Sequence, residues 1–192
     1  FVEYFNTHYV APNTVIAVAG NVDPDYVKEK TEEYFKNIRQ APKVTKLPVK
    51  ENQLSPQSIL HYKKTDQSHF ILGCRAYNMF DDKRYAADVL ASILGGGMSS
   101  RLFQEVRDKR GLAYYVSASS DNYTDSGIFS VSAGVNNDKV DDALKVIMEE
   151  LNKVKSKGIT KEELQQAKDK TEGRLAVALE NSSTVSNAYA GP

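Results

Sequence analysis

Only one cysteine, Cys74, occurs in the 192 residues, so no disulfide framework holds the fold. Charge of one sign is also lacking. Lys plus Arg and Asp plus Glu both number 25, which leaves no electrostatic footprint for nucleic acid or an anionic membrane surface. No apolar run is long enough to span a bilayer. One thiol does not fix a compartment, and the cytoplasm is the default expectation. Internal repeats and low-complexity stretches are absent. What remains is an ordinary globular composition, 41% hydrophobic and 26% charged, sufficient for one large domain or one domain and part of another. The chain opens on Phe1 inside an aromatic helical pattern and stops at Gly191-Pro192 after another helical pattern. Both ends read as cut, and a larger parent polypeptide is expected.

Along the chain, residues 1–9 read as the end of a helix, with a turn at Pro12-Asn13. Thr14 to Ala19 is a short β-branched run that predicts a buried strand. Asp23-Pro24 is a helix start, an Asp cap with Pro at the first helical position. Val27, Tyr34, Phe35 and Ile38 then share one face of a helix predicted to reach about Arg39. Three prolines, Pro42, Pro48 and Pro56, mark an extended linker.

Beyond it, Ser58–Lys63 and Ser68–Ala76 read as strands and Asp82–Leu94 as a helix stopped by Gly95-Gly96-Gly97. Ser99 or Ser100 is expected to cap a short helix through Lys109. Leu112–Ser120 and Gly127–Val135 predict a hairpin. A stripe of Val140, Ala143, Leu144, Ile147, Met148, Leu151 and Val154 predicts a helix, and Thr160 to Glu163 form a capping box before the last long one. The predicted class is α+β, a mostly antiparallel sheet covered by helices.

Residues 95–116, GGGMSSRLFQEVRDKRGLAYYV, resemble the signature of the carboxy-terminal domain in the pitrilysin family of zinc peptidases, whose processing-peptidase branch the chain looks like most. Residues 5–20, FNTHYVAPNTVIAVAG, resemble the last part of that family's amino-terminal domain. The resemblance implies that 1–42 end the zinc domain, 43–56 link, and 57–192 form most of a carboxy-terminal peptidase-like domain. It also implies that the metal ligands, an H-x-x-E-H helix and a later Glu, lie outside this chain, with zinc belonging to the parent. His8, His61 and His69 belong to no such motif and read as ordinary helix and strand residues.

By the same resemblance, Arg107 and Tyr114 match the Arg and Tyr that reach the active site from the second domain. Gly96 and Gly97 match glycines bordering the substrate path. A phosphate cradle at Gly95–Gly97 is disfavoured, because the glycines follow a helix and no Lys comes next. Arg101 and Arg110 read as structural or surface residues. On their own, Arg107 also reads as a helix C-terminal cation and Tyr114 as a half-buried strand tyrosine.

The implied function is the substrate-binding, transition-state-stabilising portion of a zinc endopeptidase. The alternative is a non-catalytic partner subunit or scaffold of the same family. Implied partners are a peptide substrate, the zinc domain or a partner subunit, and another copy of the chain. The purified chain is expected to hydrolyse no peptide and to hold no stoichiometric zinc. Zinc found by metal analysis, and lost when His61 and His69 are replaced together, contradicts this.

Overall fold

A computed structural model describes residues 1–191. By contacts the chain forms two units, one of Phe1–Leu47 with the residues from Thr171 onward and one of Pro48–Lys170.

In the first unit, α1 spans Val2–His8 and α2 spans Pro24–Phe35, separated by a single tight turn at Ala11–Asn13. The start of α2 is fixed as its sequence requires. Asp23 Oδ1 accepts from the N–H groups of Asp25 and Tyr26 at 2.8 and 3.0 Å, and Pro24 occupies a position whose N–H has no helical partner. The helix stops at Phe35 rather than near Arg39. Arg39 instead turns back, its guanidinium donating to the Asn6 carbonyl and side-chain oxygens. The strand expected at Thr14–Ala19 does not form. That segment has no ladder partner among the described residues, and Val15 is 71% exposed.

In the second unit, β1 (Gln67–Arg75), β2 (Ala113–Asn122) and β3 (Gly127–Asn136) make an antiparallel sheet in the order β1-β3-β2. The predicted hairpin is β2–β3. The strand expected at Ser58–Lys63 is absent, because no ladder partner lies beside it, and Ile59 and Leu60 are almost fully exposed. Before β1 the chain runs without helix or strand from Ile38 to Asp66. Two of its groups are tied to the sheet: Val49 N–H donates to Asp125, and Glu51 pairs with Arg75.

Helices α3 (Lys83–Gly95) and α4 (Val140–Lys157) cover one face of the sheet. Leu94, Leu102, Val106, Val116, Val131, Val135, Ala143 and Ile147 form the core there. Within the expected α4 stripe, Ala143 and Ile147 point inward, but Met148 is 44% exposed and Val146 and Glu150 take the buried positions. The helix is thus rotated slightly from the face that hydrophobicity alone picks out. On the sheet's other face Ile71, Tyr115 and Ser117 are exposed. α5 (Lys161–Ala178) and α6 (Ser182–Ala190) complete the described chain. The capping box at the start of α5 is formed reciprocally: Thr160 N–H donates to Glu163, and Glu163 N–H donates to Thr160 Oγ1. No described helix is long and apolar enough to cross a membrane.

Gly95, the last residue of α3, lets that helix close on β2. A Cβ there would land on the backbone nitrogen of Ala118. Gly95→Ala is therefore expected to lower stability by at least ~2 kcal/mol, as overpacking against backbone does. Gly173→Ala, in the interior of α5 with open space around it, is expected to add ~0.5–1 kcal/mol through the helix propensity of Ala. Urea denaturation of the two variants checks both signs.

Candidate functional site

The segment from Arg101 to Val116 brings the sequence-identified residues to one end of β2. Residues Phe103–Asp108 wind as a wide π-helical turn in which the Lys109 N–H reaches back five residues to the Gln104 carbonyl at 2.9 Å. The expected α-helical cap is not used. The Ser100 hydroxyl donates backward to the Gly97 carbonyl at 2.5 Å. Such π turns are rare in regular helices and frequent at functional sites. Gly111, in the left-handed region at φ 58°, reverses the chain, with its N–H on the Arg107 carbonyl and the Leu112 N–H on that of Val106.

β2 begins with a bulge. Ala113 stands opposite Val135 and Tyr115 opposite Gly134, so Tyr114 has no partner across the ladder. The extra residue changes the phase of the strand. Ala113 and Val116 are both buried although they are three residues apart, and the two tyrosines between them are both exposed. The Tyr114 hydroxyl donates to Asn136 Oδ1 at 2.5 Å.

Three arginines lie in this segment, and their surroundings separate them. Arg101 forks onto Glu163, with Nε and Nη2 donating to its two oxygens at 2.5 and 2.7 Å. Arg110 pairs with Glu105, which also accepts from Lys109. Among the described residues, Arg107 alone of the three has no carboxylate partner. Its guanidinium lies over the Phe103 ring, 5.0 Å from the centroid, and is exposed. No hydrogen bond joins Arg107 to Tyr114 among the described residues. Gly96 and Gly97 sit at the end of α3. The Gly96 carbonyl accepts from Lys170 Nζ at 2.6 Å, and that of Gly97 accepts from Ser100.

The ion pairs leave a mark on the acids. The Arg110 guanidinium, then the Lys109 ammonium, holds the Glu105 carboxyl down at about 2. Arg101 holds Glu163 below its ordinary value in the same manner. No group of three or more His, Cys, Asp or Glu among the described residues is placed to hold a metal ion. The described residues therefore offer no donor set for a zinc ion.

One constellation went unread in the sequence. His69, Gly134 and Tyr115 stand in one row across β1, β3 and β2. The imidazole and phenol rings stack 5.8 Å apart, with Nδ1 and the hydroxyl at 3.2 Å. Its signal lies in AYYV, where apolar residues three apart break the alternation of a strand.

Residues 1–171 match the family model for the peptidase M16 inactive domain. The chain belongs to the M16 peptidase family. The pitrilysin resemblance carried by residues 95–116 is borne out by this match. An uncharacterized zinc protease of Streptomyces coelicolor is 36% identical over 190 residues, covering 96% of this chain and 41% of the relative. The uncharacterized zinc protease YmxG of Bacillus subtilis is 32% identical over 182 residues, covering 95% and 44%. The M16 chain thus spans under half the length of these curated relatives. A protease from Helicobacter pylori has the same fold, with a TM-score of 0.74 and 26% identity over 90% of this chain and 43% of that one. The α+β class with an antiparallel sheet under helices holds throughout.

The depressed acids give a pH expectation. A carboxylate held below its unfolded value contributes stability that is complete above that value and is lost as pH falls through the folded one. For Glu105 the window runs from 4.5 down to about 2. Urea midpoints measured across this window are expected to fall, and Glu105→Gln is expected to make the fall shallower.

Proposed function

We propose that this chain is the part of a zinc-dependent endopeptidase that holds the peptide and stabilises charge on its carbonyl oxygen, the metal lying in a domain outside the chain. Two observations carry this reading together: an arginine with no carboxylate partner among the described residues and, seven positions on, a tyrosine lifted out of the ladder. Arg101 and Arg110 are neutralised by Glu163 and Glu105, while Arg107 is left with only an aromatic face. Tyr114 is the unpaired residue of a bulge, a device that re-aims a side chain next to sites of chemistry.

The chemistry suits those groups. As an amide carbon becomes tetrahedral, negative charge collects on its oxygen. The Tyr114 phenol O–H, held on Asn136 in the free chain, exchanges that acceptor for the developing oxyanion. The rigid fork of Arg107 suits peptide carbonyls, with two N–H groups donating in one plane. Gly96 and Gly97 join the substrate path by the family resemblance alone, since a Cβ at either would meet Ser92 or Lys170 rather than open space. The two curated relatives are both named zinc proteases, which favours the same reading for the parent.

In the full-length parent, Tyr114→Phe is expected to reduce kcat by ~10²–10³ with KM nearly unchanged, because the donor acts on charge that exists only in the transition state. Arg107→Lys is expected not to restore what Arg107→Ala loses, since an ammonium cannot reproduce the fork. Wild-type turnover in Tyr114→Phe would make Tyr114 a structural tyrosine and favour a partner subunit or scaffold instead.

A further inference from the structure

A bulge is useful only if it stays at one position. A strand that carries an extra residue can slide the irregularity along its length unless something fixes the register beside it. Here the residue immediately after the bulge is Tyr115, and it is tied across the whole sheet. Tyr115 on β2, Gly134 on β3 and His69 on β1 share one row. The tyrosine and histidine rings close over the glycine, which is buried beneath them although they are exposed. The rings stack 5.8 Å apart at an interplanar angle of 23°, and Nδ1 lies 3.2 Å from the phenol oxygen.

Gly134 is required for this closure. A Cβ there would run into the Tyr115 ring and come within 3.0 Å of His69 Nδ1. Across from Gly134 the strand therefore has one setting in which both rings fit. The adjoining partners agree with it: Tyr114 reaches Asn136, two residues beyond Gly134 on β3, with its hydroxyl on Asn136 Oδ1.

We propose that Tyr115 and His69 are positioning residues, clamped over Gly134 to hold the bulge in register so that the Tyr114 hydroxyl is presented to the peptide carbonyl. This rests on the role proposed for Tyr114. Tyr115 itself touches no reacting atom. It acts on the rate through its neighbour, so its contribution vanishes when that neighbour's hydroxyl is gone.

The test uses the full-length parent. kcat and KM are measured for Tyr114→Phe, Tyr115→Ala and the double variant, and amide hydrogen exchange is followed at residues 113–116. Tyr115→Ala is expected to lower kcat by up to roughly 10²-fold through misplacement of the donor, to leave KM nearly unchanged and to speed exchange at the bulge. Added to Tyr114→Phe it is expected to lower kcat no further, the non-additivity of two residues acting as one. Gly134→Ala, which displaces the same rings, is expected to match Tyr115→Ala. An equal loss in both backgrounds overturns the proposal, as does Tyr115→Ala with unchanged kcat and unchanged exchange. Wild-type turnover in Tyr114→Phe refutes the role of Tyr114 separately, and exchange at the bulge then decides the clamp: faster exchange upholds it and unchanged exchange overturns it. If Tyr115→Ala does not fold, Tyr115→Phe takes its place. It keeps the stacked ring, removes the hydroxyl facing His69, and is expected to show a smaller loss with the same dependence on Tyr114.

Discussion

One unpaired residue sets the arrangement of the second unit. β2 must place Ala113 in the core, next to Val106 and the π-helical turn, and must also place Val116 and Ala118 under α3. A regular strand cannot do both, because residues 113 and 116 would fall on opposite faces. Inserting Tyr114 without a ladder partner resolves the conflict. The unavoidable result is two adjacent tyrosines on the exposed side. The candidate site thus follows from a packing constraint, and its polar groups appear where the strand has to absorb a phase change.

Close backbone approach is the second element. Gly95 carries no side chain where α3 meets β2, so the helix end lies against Ser117 and Ala118. The loop that follows is held from within. Lys170 of α5 binds the Gly96 carbonyl, and Ser100 binds that of Gly97. Arg101 reaches the same helix α5 through Glu163, an acid that already closes the capping box. One carboxylate therefore starts a helix and ties it to the turn bearing Arg107, which concentrates the rigidity of this region in a few charge-assisted hydrogen bonds.

Features encoded by neighbours in the chain were legible. The Asp23 cap, the Thr160–Glu163 box, the glycine stop of α3 and the β2–β3 hairpin all formed where the local pattern put them. Features that depend on a distant partner were not. Thr14–Ala19 and Ser58–Lys63 have strand-like residues, yet a strand exists only with a neighbour to bond to, and none stands beside either segment. Met148 follows the helical period but faces outward, since the turn of α4 is chosen by packing against the sheet. Of the candidate site, Arg107 and Tyr114 stand out in the sequence only through the resemblance over residues 95–116. The row of His69, Gly134 and Tyr115 does not, because its members are separated by 65 and 19 positions and meet only when β1 and β2 flank β3.

The same row constrains how such a chain can change over generations. With both rings in place, a side chain at position 134 meets the Tyr115 ring and His69 Nδ1, and the rings have to move. Were Tyr115 first exchanged for a small residue, the space above β3 would open and alanine or serine would be accommodated there. The reverse order passes through a strained intermediate. The easier route between the two arrangements, in either direction, therefore runs through glycine at 134 with a small residue at 115.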